Sequence, residues 1–107
     1  MIHVIATIEV VPGNKEKFLR EFQANVPHVL AEEGCIEYSP VVDARSGLER
    51  QEPYREDVVK VIEKWASLEA LKRHMVAPHM NTYRERVTGL VHHVTLEILE
   101  PAPGSAP

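Results

Sequence analysis

Four stretches of this chain alternate apolar with mixed residues at a period of two, and two stretches between them repeat apolar residues at helical spacing. No other feature restricts the possible folds as tightly. In the first stretch Ile2, Val4, Ala6, Ile8 and Val10 alternate with His3, Ile5, Thr7 and Glu9. That predicts a strand with one wholly apolar face, covered by helices. Pro12-Gly13 turns the chain, and Asn14 can cap a helix that begins at Lys15. Phe18, Leu19, Phe22, Val26, Val29 and Leu30 form its apolar stripe. Pro27 removes a backbone donor inside this pattern and is expected to bend or split the helix near Asn25. Gly34 is expected to stop it in the C′ position.

Residues 35–44 predict a second strand, with Ile36, Tyr38, Pro40 and Val42 on one face. Pro40 cannot donate to a ladder, which places this strand at an edge or at a bulge. Residues 45–57 are rich in charge, contain Gly47 and Pro53, and lack periodicity, so they read as a long solvated hairpin excursion. Residues 58–65 predict a third strand, with Val59, Val61, Glu63 and Trp65 on one face and Val58, Lys60, Ile62 and Lys64 on the other. Ser67 caps the next helix, whose buried face is expected from Leu68, Leu71, Met75 and Val76, with His74 at its flank. Pro78 breaks that helix and opens a new one as its first residue. Met80, Tyr83 and Val87 are spaced for burial, and His79 and Tyr83, four apart, share a face. Residues 90–99 predict a fourth strand, in which His92, Val94, Leu96 and Ile98 alternate with Val91, His93, Thr95, Glu97 and Leu99.

The order β-α-β-β-α-β predicts an α+β, ferredoxin-like domain over residues 1–100: a four-stranded antiparallel sheet with helices on one face. Residues 101–107 read as a disordered Pro-rich tail. The open sheet face would carry Ile5, Lys60, Ile62 and Val91 or their neighbours, and such a half-apolar face asks for a cover. The simplest cover is the same face of a second copy, which predicts a homodimer.

Composition removes several function classes. A formal charge of −4 and the absence of a basic run weigh against nucleic acid and against an anionic membrane surface. No apolar run approaches the roughly 18 residues needed to span a bilayer, and MIHVIATIEV lacks the marks of a signal peptide. The single cysteine, Cys35, cannot form an internal disulfide and fits a reducing, cytoplasmic setting. The glycines are isolated, so no phosphate-cradling loop is present, and no G-x-S-x-G elbow occurs. Cys35 reads as a buried strand residue rather than a nucleophile.

The remaining chemistry lies in histidines and one carboxyl group. His92 and His93 point to opposite faces and cannot ligate together. His74 and His79 are five apart across a proline break, not at the i, i+4 spacing of a helical zinc pair, which leaves only ligation by a set drawn from distant segments. Either can act as a base beside an apolar pocket, or can be a helix-flank residue and a loop residue in water. Glu63 is either buried and paired or lines a cavity. Trp65 is either core or a flat surface for a planar ring. Tyr38 and Tyr83 are either half-buried core residues with hydroxyls reaching solvent or substrate contacts.

Val61-Ile62-Glu63-Lys64-Trp65, followed by Ser67-Leu68-Glu69-Ala70-Leu71, His74 and Pro78-His79, resembles the antibiotic biosynthesis monooxygenase family of small dimeric α+β-barrel proteins, and within it the quinol monooxygenase-like members. Glu33-Gly34-Cys35 with Tyr38, and Pro12-Gly13 after the first strand, are similar to the same family, so the resemblance covers residues 2–99. It implies a pocket between sheet and helices in each subunit and two sheets packed back to back. It also implies oxidation of a small quinol or phenol by O2 without flavin, metal or other cofactor. On this resemblance His74 and Glu63 are the catalytic candidates, and Trp65, His79, Tyr83 and Tyr38 the substrate-binding ones. Two departures stand out. The 45–57 connection is longer than the family's short hairpin, and Ala6 and Thr7 occupy the region where haem-degrading and anthrone-oxidising relatives place an Asn. Other readings consistent with the same pocket are a non-catalytic dimeric ligand binder and an isomerase of a small oxygenated metabolite.

Overall fold

The computed structural model describes residues 1–105. It runs β1 (Ile2–Val10), α1 (Lys15–Leu30), β2 (Cys35–Val41), β3 (Val58–Trp65), α2 (Leu68–Met75), α3 (Pro78–Val87) and β4 (Val91–Leu99). The strands form one antiparallel sheet in the order β2-β3-β1-β4, with the helices on one face. This is the ferredoxin-like arrangement with its second helix split in two at Pro78. Positions 106 and 107 of the expected tail lie outside the described residues; residues 101–105 are exposed, and Ser105 N–H donates to the Ala102 carbonyl at 3.0 Å.

The period-two pattern sorts β1 and β3 as expected. Val4, Ala6, Ile8 and Val10 are buried on the helix side, together with Val59, Val61, Glu63 and Trp65. α1 closes this layer with Phe18, Phe22 and Val29, and Phe22 stacks on Tyr38 with ring centroids 5.3 Å apart. Truncating either phenylalanine to Ala in such a packed core costs about 3–5 kcal/mol.

Several expectations about helix and strand ends are corrected. Asn14 stands at the start of α1, but its amide donates to the carbonyls of Val11 and Pro12 instead of accepting a helical N–H. Pro27 does not split α1, which continues to Leu30. So near the helix end the missing donor removes a single bond, and the Pro27 carbonyl still accepts from Ala31 N–H at 3.2 Å. Gly34 lies beyond the C-cap residue Ala31 and is not the C′ residue. Its φ of +87° and its approach to α2, where a Cβ would meet the Ala70 Cβ at 2.6 Å, are what require glycine.

β2 is the edge strand that Pro40 suggested, but it ends at Val41, and Ile36 does not share a face with Tyr38. The register against β3 slips between Cys35 and Glu37, so Ile36 bulges outward and is exposed while Tyr38 is buried. A second slip between Glu9 and Val10 pairs Val10 with Val91, which turns Val91 to the helix side rather than to the open face. The open face is centred on Ile5 paired with Ile62, flanked by Lys60 and Lys64. On β4, Val94 and Leu96 face the helix side opposite Ile8 and Ala6. They remain 46% and 44% exposed.

The long excursion is tied down at its base. Arg55 donates to Asp43 through Nε (2.9 Å), Nη2 (2.8 Å) and its backbone N–H (3.0 Å). The Tyr54 ring lies under the Arg45 guanidinium at 3.8 Å, and Asp57 accepts from Gly13 N–H at 3.1 Å.

Candidate active site

A cavity of about 420 Å³ lies between the sheet and the helices α2 and α3. Its walls are mainly apolar, with His74, Glu63, Tyr38, Tyr83, Arg84 and Thr88 as the polar side chains that line them. The half-exposed Val94 and Leu96 line its β4 side, which is therefore its open side.

His74 reaches this cavity because of how α2 docks. Ser67 Oγ accepts the Ala70 N–H at 3.1 Å and starts the helix. The buried face is then Ala70, Leu71 and His74, while Leu68, Met75 and Val76 are exposed. This corrects the expected stripe. The larger apolar residues do not set the docking; Ala70 does, since only the Gly34 backbone fits against it. That rotation carries His74 from the flank to the interior, where it is 2% exposed.

The buried ring is held on one edge. Its Nδ1 lies 2.8 Å from Glu32 Oε2, and His79 Nε2 lies 2.8 Å from the same oxygen. The carboxylate form of Glu32 only accepts, so each imidazole presents an N–H to it. Burial pushes the His74 pKa below its ordinary value, and Glu32 opposes that only in part. The neutral tautomer at pH 7 therefore carries its proton on Nδ1 and a lone pair on Nε2. Among the described residues no fully enclosed side-chain nitrogen or oxygen lacks a hydrogen-bond partner. His74 Nε2 has no such partner among the described residues, so it is not fully enclosed, and the residue lines the cavity.

Glu63 accepts the Trp65 indole N–H at 2.9 Å. Burial pushes the Glu63 carboxyl up, the indole bond pulls it down, and nearby Glu32 pushes it up again; the net direction is upward. Burial likewise raises the Tyr38 and Tyr83 phenols, which stay protonated. Cys35 is pushed up to about 11, first by burial and then by Glu32 and Glu63, so it is a thiol and not a nucleophile at neutral pH.

Of the residues expected at the site, His74, Glu63, Tyr38 and Tyr83 line the cavity. Trp65 and His79 do not. Trp65 is fully buried with its ring centroid 4.7 Å from that of His74, so it backs the imidazole. His79 bonds Glu32 through Nε2 from outside the cavity lining. Glu32, Met80 and Arg84 were not anticipated. The spacing of Met80, Arg84 and Val87 could have shown Arg84 on their shared face. No local signal marks Glu32. Together with His74 and His79, Glu32 also forms a set of donors close enough to hold a cation.

A four-stranded ferredoxin-like sheet with helices on one face and an apolar cavity between them is the architecture of this chain. The chain belongs to the antibiotic biosynthesis monooxygenase family, whose model matches residues 1–86, and is thereby a monooxygenase-type oxidoreductase. It is 40% identical over 103 residues to the "Probable quinol monooxygenase YgiN" of Escherichia coli K12, covering 94% of this chain and 98% of that protein. The crystal structure of PA3566 from Pseudomonas aeruginosa is similar at a TM-score of 0.77 and 28% identity, covering 94% of this chain and 92% of that one. Rv0793 from Mycobacterium tuberculosis shares the fold at a TM-score of 0.77 and 24% identity, with 98% of each chain covered. No helix among the described residues is long and apolar enough to cross a membrane.

Proposed function

We propose that this chain oxidises a small quinol or phenol with O2 without a bound cofactor, and that His74 is the base. One observation carries the reading: a neutral imidazole, fixed through Nδ1 by Glu32 and unpartnered at Nε2, lines an apolar cavity of about 420 Å³. The printed name of the Escherichia coli relative supports the substrate class.

In this mechanism the substrate hydroxyl gives its proton to His74 Nε2. The resulting phenolate transfers one electron to O2, and the radical pair combines at a ring carbon to form a hydroperoxide. Loss of water leaves one oxygen atom in the product and the other in water, with all four electrons supplied by the substrate. The apolar walls keep bulk water from the anion and strengthen its attraction to the Arg84 guanidinium at the cavity wall. Two copies are proposed to pack through the open sheet face around Ile5 and Ile62, as that half-apolar face suggests.

Oxygen uptake by metal-stripped protein against a panel of hydroquinones and anthrone-like phenols, with product masses, tests the reaction. Protein-dependent uptake and gain of one oxygen atom are expected. Unchanged substrates with no uptake would overturn the reading in favour of a binder or an isomerase. A monomer in light scattering at micromolar concentration would overturn the assembly.

A further inference from the structure

Glu32, His74 and His79 come from three separate segments, the turn after α1, α2 and α3, yet their donor atoms all lie within 4.8 Å of one another. Both ring nitrogens face a single carboxyl oxygen at 2.8 Å. We propose that these three residues form a site for a divalent transition metal of the zinc class, and that a metal there disables His74 as a base. The second half of this proposal rests on the function proposed above; the first does not.

Two imidazole nitrogens and one carboxylate oxygen are the donor set such ions take, with a fourth position left for water. Tetrahedral bonds of about 2.0–2.2 Å place donors roughly 3.3 Å apart. The two nitrogen–oxygen separations need to open by a fraction of an ångström, a change within side-chain rotation. The site is sheltered but reachable: side-chain exposure is 3% for His74, 13% for Glu32 and 26% for His79. The more exposed His79, which does not line the cavity, marks the route of entry. One carboxylate and two neutral imidazoles offset half the charge of a divalent ion, which lowers the cost of holding it there.

The position of the metal decides its effect. It binds His74 through Nδ1, the nitrogen that otherwise gives its proton to Glu32. A neutral imidazole with a metal on Nδ1 carries its proton on Nε2. The otherwise unpartnered nitrogen then donates and no longer accepts. The ion acts from behind the base and needs no contact with substrate.

The test is calorimetry with Zn²⁺ and visible absorption with Co²⁺, on metal-stripped full-length protein without substrate. One ion per chain is expected, with the absorption of a low-coordinate Co²⁺ site. Glu32→Gln and His79→Asn should each weaken binding by more than about a hundredfold, beyond the roughly 10–100-fold that loss of an outer-shell partner costs. Circular dichroism shows that each variant is folded, and the partly exposed His79 keeps the test available if Glu32→Gln is not. No binding to the wild type, or equal binding to a folded His79→Asn protein, overturns the site. Oxygen uptake is then followed as Zn²⁺ is added. Loss of rate in step with occupancy, moving to higher Zn²⁺ in His79→Asn relative to that variant's own metal-free rate, supports the switch. A rate unchanged at full occupancy overturns it. If no uptake occurs even without metal, the proposed function and the switch fall together, while the binding result stands.

Discussion

The chain builds two clusters of opposite charges and hydrogen bonds, one around Glu32 and one in the 45–57 excursion, and they differ in what surrounds them. Arg45 and Glu56 pair at 3.2 Å with side chains 70% and 72% exposed. His74 and Glu32 meet at 2.8 Å with 3% and 13%. The first pair is screened by water and contributes little. In the second, low polarity shifts the histidine toward its neutral form, and one carboxyl group orients two rings. Similar residue types thus give a solvated surface in one place and a set base in the other. Depth decides between them, since none of the excursion's residues lines the cavity.

The largest expected effect comes from breaking the deep cluster at its base. His74→Ala should lower kcat by about 10²–10⁴-fold if the imidazole takes the substrate proton. Steady-state oxygen uptake checks this, and an unchanged rate removes His74 from the mechanism.

The docking of α2 is the next target. Gly34→Ala places a Cβ at 2.6 Å from Ala70 and forces a residue with φ of +87° off glycine. The strained backbone alone costs about 1–3 kcal/mol, and urea unfolding should show at least that loss. Wild-type stability would mean that Ala70 does not set the rotation that buries His74.

A smaller effect comes from pH. His74 titrates below its ordinary 6.5 in the folded protein, so the base form persists as pH falls from neutrality past that value. Its contribution to kcat/KM should hold through pH 6.5 and decline only below it. The unfolded chain takes up that proton near 6.5 and the folded chain only at lower pH, so this group's share of stability falls as pH drops from about 6.5. A rate profile whose acid limb lies above 6.5 would contradict the buried, neutral assignment.

The smallest effect is expected in the excursion. Glu56→Gln removes one exposed pair and should change unfolding free energy by less than about 1 kcal/mol, with oxygen uptake unaltered. A clear loss of activity would show that the excursion acts on the cavity after all.

Much of this architecture was legible because its signals are local. The alternation of β1 and β3, the Ser67 cap, the start of α3 at Pro78 and the edge position of β2 each follow from a few neighbouring residues. The corrections to β2 and α2 share one cause, which is that packing partners are remote. Ile36 leaves its expected face through a slip against β3. His74 moves inward because of a glycine on another segment. Glu32, 42 residues from His74 in the chain, shows no periodicity that could announce it.

By itself, then, the sequence determined the order and type of the elements, since side-chain periodicity and caps act over three or four residues. It also named Glu63, His74, Tyr38 and Tyr83 as candidates, all of which line one cavity. Only the tertiary structure decided which nitrogen of His74 is free, that Trp65 stands behind the imidazole, and that one carboxyl oxygen serves two histidines. Those outcomes depend on burial and on contacts between distant segments. No local pattern encodes them, because desolvation is a property of everything packed around a group.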